Sequence, residues 1–563
     1  MNTEAENRTK IPMLIVVAAT VAGAMLGLFR IANTSVGWHL ASGRWILEHG
    51  SFLHSDPFSF TSQGAPWIDH EWLFQVGAAL IDILGGGPAL AVTRAIVVAG
   101  LALLLLVVSV RSGLSPAAAL LLAIFSVAAA RSRFFLRPEL VTLVVVPAVV
   151  WLFLNRERAR SNIWLAPIAA MMVIGANAHG GALVVPLLLV GILAAEVATM
   201  VLARQWQPRV VVTGLAGVAT ATLALLVNPY GWHLFSVPLR LTHLVDQAHI
   251  PNPEWISPSL AEAPVLYLAI AVTAAILAVS ERRAARWILF VMASALALRH
   301  IRNVGLFFVL LPLAAAPALA SWRAFAASAE QGGGRRRRTN LLAVAAVTIL
   351  ALSMAASPWP RFGLGFADDY YPTRACDFLD AEGLPSSRLY NDVRFGGYLI
   401  DRYHPSQQVF QDDRNEIHDL LLQEIWKIFQ TSDVAAWSSL LARFDIDSAL
   451  VRYHPPIRVA TPDGSSLGDR GFSALWFPTR QWALVYWDDV AMVFVRRDRA
   501  SPDLLQRHEY GVIRPDDLTH LENRLRDDPG LRKTAVAESR RALSANPECE
   551  RALHILATLG GTD

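Results

Sequence analysis

Between Asn33 and Trp72 the chain reads NTSVGWHLASGRWILEHGSFLHSDPFSFTSQGAPWIDHEW, a polar and aromatic stretch that follows one apolar run. His39, Asp56, Asp69, His70 and Glu71 stand there among Trp38, Trp45, Trp67 and Trp72. A loop of this length and composition reads as a working surface, not a connector. A carboxylate within hydrogen-bond reach of a hydroxyl acts as general base while that hydroxyl attacks, and a second can hold a divalent cation, magnesium or manganese, against a departing phosphate. Asp56, Asp69 and Glu71 are the candidate catalytic acids. Each also suits a structural role: Asp56 caps a turn before Pro57, and Asp69 and Glu71 favour the start of a helix.

A phosphate leaving group needs cations. Arg131, Arg133, Arg137, Arg299 and Arg302 lie at the ends of apolar runs, where arginine costs insertion free energy and is retained to pair or to bind. Pairing with Glu139, or snorkelling to headgroups, is the alternative. The candidate substrate-binding set is His39, Arg133, Arg137, His179, Tyr230, Glu254, Arg299 and Arg302, although lone polar residues at helix ends are more often structural. The chain has no P-loop, no GxGxxG before a helix, no HExxH and no CxxC pair, which argues against nucleotide-driven transport, Rossmann cofactors and common zinc chemistry. Cys376 and Cys549 are the only cysteines and are as readily two buried thiols as a pair.

The elements that must position these residues are apolar. With 54% hydrophobic and 17% charged residues and a mean hydropathy of +0.39, the expected fold class is a polytopic α-helical membrane protein. Apolar runs near 11–29, 88–110, 116–131, 139–154, 163–178, 180–203, 209–227, 264–280, 287–299, 303–320 and 340–357 predict about eleven transmembrane helices. The segment 73–85 is apolar but short and contains Asp82, so it is placed as an interfacial helix; a crossing there would invert every later side. With the N-terminus cytoplasmic, the basic clusters RERAR (156–160), ERRAAR (281–286) and RRRR (335–338) fall on the cytoplasmic side. The loop at 33–72 and the C-terminal region then face outward, and the pI of about 8.9 reflects topology with no nucleic-acid partner implied.

Residues 1–357 are accordingly read as the transmembrane domain, 358–515 as an extracytoplasmic soluble α/β domain, and 516–563 as a short helical, tetratricopeptide-like tail. Strands are expected at 388–392, 407–414, 447–452, 482–489 and 491–497, with helices at 416–430 and 433–443. Asp412, Asp413 and Arg414 suit either glycan contact or a strand-end salt-bridge cluster.

GWHLASGRWILEHG, DPFSFT and APWIDHEWL, followed by FFLRPE, NAHGG, NPYGWHLF, EWISP, RHIRN, YNDVRFGGYLI and VFQDDR, resemble bacterial multi-pass proteins of the GT-C glycosyltransferase-like superfamily over nearly the whole chain. The resemblance implies a GT-C-like helix bundle in the bacterial cytoplasmic membrane, with its active site at the outer face. It also implies a polyprenyl-phosphate-linked sugar donor, an extracytoplasmic glycan, lipid or protein acceptor, and a catalytic acid in the first outer loop. One departure is that Asn33, Ser35 and Gly37 stand where the superfamily carries acids ahead of the aromatic-His-Leu motif. A glycosyltransferase is therefore the first expectation. A non-catalytic protein that binds a lipid-linked glycan or scaffolds envelope assembly is the second, and a transporter, lacking an inverted repeat or acids within the spans, is the third.

Overall fold

The computed structural model describes residues 11–159, 161–239, 254–327, 333–357, 360–384, 388–460 and 466–560. The chain divides into two compact units. The first comprises Met1–Asn33, Ser42–Leu53 and Ile68–Phe366, and the second Thr34–Ala41, His54–Trp67 and Ala367–Asp563. The loop at 33–72 is thus shared between them.

In the first unit each of the eleven expected apolar runs falls on a helix. Four of these helices, Trp72–Arg111, Gly180–Leu202, Ile301–Ala320 and Arg336–Ala355, are long and apolar enough to cross a membrane. Others, including Met13–Gly27, Pro116–Ala129, Glu139–Leu154 and Pro264–Ser280, are apolar but shorter. Among the described residues, then, length and composition support four crossings outright, fewer than the eleven expected. The Trp72–Arg111 helix has 40 residues, about 60 Å at 1.5 Å per residue and twice the hydrocarbon thickness. It is broken at Gly85 and Gly86, where the φ of +61° at Gly86 is open to glycine and costly for residues with a Cβ. The segment from Trp72 to the break is the short helix expected to lie at the interface.

Packing inside this unit is apolar and continuous, from Ile15 and Leu26 through Leu105, Val146, Leu188 and Phe308 to Val347. Two arginines are built into it. Arg94 donates through Nε to the Gly27 carbonyl at 2.8 Å and through Nη2 to the Phe29 carbonyl, satisfying the carbonyl end of Met13–Gly27. Arg156, 2% exposed, pairs with Glu196. Both are buried with partners, which is what a buried arginine requires.

The second unit is an α/β structure. Strands β1 (Leu389–Asn391), β2 (Ser448–Arg452), β5 (Trp482–Trp487) and β6 (Ala491–Arg496) form a sheet in the order β1-β2-β6-β5, with β3 (Ile457–Ala460) and β4 (Ser466–Arg470) a separate hairpin. β1 and β2 are parallel, while β6 is antiparallel to both β2 and β5. Every residue of β5 is buried, the mark of a sheet covered on both faces. Helices Asp419–Thr431 and Val434–Arg443 contribute Ile425, Ile428, Trp437 and Leu440 to the same core, and the last helices, Leu518–Asp527, Leu531–Ala545 and Glu550–Thr558, contribute Leu521, Ala535 and Ile555.

The strand expected at 407–414 is not formed, and its backbone is held another way. The Asn391 amide accepts from the Phe410 N–H at 2.9 Å and donates to the Gln411 carbonyl at 2.8 Å, and Gln411 Nε2 returns a bond to the Asn391 carbonyl. Side chains take the place of a ladder, leaving an isolated bridge between Ser59 and Val409. Cys376 and Cys549 are both buried free thiols.

Candidate active site

Within the first unit, polar residues from five loops lie at one end of the helices. Arg133 lies in the short turn Arg131–Arg133, which leads into the helix Glu139–Leu154. Its guanidinium forms a two-bond pair with Glu139, at 2.6 and 3.1 Å, the fork geometry that makes arginine–carboxylate pairs strong. It also approaches Glu254 at 3.4 Å, and Arg137 binds the same Glu254 oxygen at 2.5 Å. Burial opposes ionisation of Glu254, but Arg137, Arg133 and Arg302 outweigh it and hold the carboxyl down at about 2. Gly305, at the start of the helix Val304–Ala320, leaves room for Arg133; a Cβ there would come within 2.8 Å of its Cγ.

Arg302 enters beside this pair. Its backbone N–H donates to the Glu254 carbonyl at 3.2 Å and that of Ile301 to the Ile256 carbonyl at 2.9 Å, tying EWISP to RHIRN. The guanidinium stacks over Trp255 at 4.8 Å and, among the described residues, has no carboxylate within ion-pair distance. It is the cation of the group whose charge is least committed. Arg299 is exposed, and its carbonyl accepts from Ser257 at 3.1 Å.

His179 closes the helix Leu165–Ala178. Its Nδ1 accepts from the Gly181 N–H at 3.2 Å and lies 2.8 Å from the Thr142 hydroxyl, so Nε2 carries the proton of a neutral ring. Burial, reinforced by the charge of Arg302, pushes its pKa well below the ordinary histidine value. His70 is packed against Gly180. Burial lowers its pKa to about 4, against a bond to the Ile68 carbonyl that favours the proton. The Nε2 of His70 is 3.7 Å from Glu71 Oε1.

Asp69, 2% exposed, precedes these residues. Gln75 Nε2 donates to its Oδ1 at 2.6 Å, and its backbone N–H donates to the Tyr230 hydroxyl at 3.1 Å, which in turn donates to the Leu53 carbonyl at 2.9 Å. Burial and the Asp69 charge raise the Tyr230 pKa, so Tyr230 stays a neutral donor. Trp72 Nε1 donates to Asn177 at 2.8 Å, fixing APWIDHEWL to NAHGG. Asp69, Glu71, Arg133, Arg137, His179, Tyr230, Glu254 and Arg302 are therefore linked through one set of loops, and His70, Gln75 and Thr142 join them. Part of the stretch between NPYGWHLF and EWISP, residues 240–253, lies outside the described residues.

Asp56 sits in the second unit. It is 1% exposed and 2.9 Å from Arg414, whose guanidinium also binds Asp412 at 2.5 and 2.7 Å. The Asp56 carboxylate further accepts from the Phe58 N–H at 3.0 Å and from the Ser59 hydroxyl. Arg414 lies over Trp67 and Phe58 at 4.8 and 5.2 Å, and His418 Nε2 meets Asp412 at 3.1 Å. Asp413 accepts from Trp38 Nε1 at 2.7 Å, and the His39 ring lies against Trp38, tilted by 38° with centroids 3.6 Å apart. QDDR is thus a buried ion-pair cluster.

Glu254 and Glu139 are taken up by arginines, and among the described residues no group of three His, Cys, Asp or Glu side chains could hold a metal ion.

No family model and no curated protein matches the chain. Among solved structures, the chain is similar to the apo crystal structure of the Archaeoglobus fulgidus oligosaccharyltransferase, with a TM-score of 0.50 and 12% identity over 81% of this chain and 74% of that one. A second match, the arabinofuranosyltransferase AftD from mycobacteria, has a TM-score of 0.45 at 14% identity, over 86% of this chain and 40% of that one, too low to define a shared fold. The likeness, at 12% identity, is one of fold with that oligosaccharyltransferase, in a chain with four helices long and apolar enough to cross a membrane.

Proposed function

We propose that the protein is a membrane glycosyltransferase that moves a sugar from a polyprenyl-phosphate-linked donor to a hydroxyl of an extracytoplasmic glycan, lipid or protein. The single observation that carries this reading is the meeting of the Asp69–His70–Glu71 segment with Arg133, Arg137 and Arg302 through His179, Glu254 and Tyr230. A carboxylate base and a phosphate-binding cation are the two groups that such a transfer needs side by side.

In this reading the acceptor hydroxyl lies against Glu71 Oε1 and the Nε2 of neutral His70. A carboxylate of the Asp69/Glu71 pair takes the hydroxyl proton as the oxygen attacks the anomeric carbon. The bond from that carbon to the donor phosphate breaks, and the electron pair leaves with the phosphate. Arg302 stabilises the charge that develops there, with Arg133 and Arg137 held beside it by Glu254. Glu71 is the more open acid, its side chain 18% exposed, while Asp69 is positioned by Gln75. Asp56 is fully occupied by Arg414 and Ser59 and serves the structure. The orientation proposed is a cytoplasmic N-terminus in a bacterial inner membrane, with the α/β unit outside.

Ion pairing of Arg133 and Arg137, together with the residues Asn33, Ser35 and Gly37 ahead of Trp38, favours the second reading, a protein that binds a lipid-linked glycan without turning it over. The test is transfer from a radiolabelled polyprenyl-phosphate-sugar pool in membranes holding wild type, Asp56→Ala, Asp69→Ala or Glu71→Ala. Transfer lost in Asp69→Ala or Glu71→Ala, at wild-type levels of inserted protein, supports the enzyme. Donor binding without transfer, unchanged in all variants, supports the binding protein.

A further inference from the structure

At the other end of the helices of the first unit, four arginines face one cavity of about 300 Å³. Arg111 ends the helix Trp72–Arg111, Arg158 lies in the turn after Glu139–Leu154, and Arg283 and Arg286 flank the start of Ala284–Arg299. Arg286 is fixed: its Nη1 donates to the Leu313 carbonyl at 2.9 Å and its Nε lies 3.2 Å from Glu281. Glu281 is the one carboxylate on the cavity wall, and its other oxygen is bound by the Arg283 N–H at 2.8 Å. Among the described residues, the side chains of Arg111, Arg158 and Arg283 have no ion-pair partner. Four cations face one anion across this open cavity, with Arg111, Arg158 and Arg283 exposed and Arg286 half-buried.

An excess of basic residues on one side of a membrane protein is ordinary, and here the side chains come from three separate loops onto one cavity. An anion between them would offset their mutual repulsion. Arginine's planar fork suits phosphate oxygens, and the volume lies at the lower end of the range of small-ligand sites, roughly 300–1,000 Å³. We infer that this cavity binds a phosphate-bearing anion, either a lipid headgroup or a soluble phosphate. The site is separate from the Asp69–Arg302 group and stands whether or not that group transfers sugar.

The test uses the full chain and a triple variant, Arg111→Gln, Arg158→Gln and Arg283→Gln, with Arg286 kept because it holds the Leu313 carbonyl. Inorganic pyrophosphate is titrated onto detergent-solubilised protein, and retention of phosphatidylglycerol over phosphatidylcholine is read by native mass spectrometry from mixed nanodiscs. Binding of pyrophosphate by the wild type, weakened at least about tenfold in the variant, identifies a soluble phosphate ligand. Selective retention of phosphatidylglycerol, lost in the variant without a pyrophosphate effect, identifies a headgroup. Each single substitution is measured as well, so that misfolding of the triple variant leaves a reading; partial losses in all three support the site. Wild type and variants alike in both assays would overturn the inference.

Discussion

Replacing Arg414 by Met tests the claim that the QDDR segment is a structural cluster. The change keeps most of the apolar stem that lies over Trp67 and Phe58 and removes the guanidinium between Asp56 and Asp412. Both carboxylates have fully buried side chains, so each loses its cation without gaining water. Breaking a buried pair by removing one partner costs about 3–5 kcal/mol, and at about 1.36 kcal/mol per decade that raises the opening constant of the segment roughly a hundred- to several-thousand-fold. The amides that report it are those of Asp56, Phe58, Phe60, Gly64 and Val409, all bonded within or against the 54–67 segment. Hydrogen exchange of peptides covering 54–67 and 407–418 should accelerate by that factor. The loss should be partly relieved as pH falls, because an uncompensated buried carboxylate has a folded pKa above its unfolded one and is stabilised by taking up a proton. Unchanged protection in both peptides would refute the structural assignment and return Asp56 to the list of reacting acids.

Three further outcomes follow from the first unit. Its stability should fall with acid: the folded pKa of His70, about 4 against an ordinary 6.5, means the unfolded chain takes up a proton first, so up to about 3 kcal/mol drains as pH drops from about 6.5 towards 4. Glu254, held at about 2 against 4.5, adds a loss below pH 4.5 of the same sign. Thermal midpoints against pH should show this slope and His70→Gln should flatten its upper part; a flat wild-type profile would contradict it. Tyr230→Phe should cost about 1–2 kcal/mol, because Asp69 N–H and the Leu53 carbonyl lose their shared hydroxyl, and equal midpoints for the two proteins would refute that role. Arg302→Gln should raise the donor KM roughly ten- to a hundredfold with little effect on folding, since Glu254 keeps Arg133 and Arg137; an unchanged donor KM would remove Arg302 from the phosphate site.

The helices were legible because a run of apolar residues is a local signal, and each expected run falls on one. The number of crossings is less so, because several runs are too short to span alone and the glycine break at 85–86 joins two helices of different purpose. The candidate residue types could be picked out in the sequence: Arg133, Arg137, Arg302, His179, Tyr230 and Glu254 fall on the linked loops, whereas Asp56 and His39 lie in the second unit and Arg299 is exposed. Their pairings could not. Asp69 and Tyr230 are 161 positions apart, and no periodicity links residues so distant. His70 was visible in the loop but not as a neutral histidine beside Glu71, since that depends on burial. The strand expected at 407–414 fails for a related reason: alternation predicts an extended backbone, and Asn391 supplies the bonds that a neighbouring strand would have made. Arg94 reads as a lone charge in an apolar helix, and its partners are carbonyls, which carry no side-chain signature.

The central claim is that the donor phosphate sits at Arg302 with the sugar facing Asp69 and Glu71. A structure determined with a non-hydrolysable polyprenyl-phosphate-sugar analogue tests it most directly. The phosphate should lie within about 4 Å of the Arg302 guanidinium, with the anomeric carbon reachable by a hydroxyl hydrogen-bonded to Glu71 or Asp69. A phosphate bound away from Arg302, Arg133 and Arg137, or a sugar out of reach of both carboxylates, would contradict it.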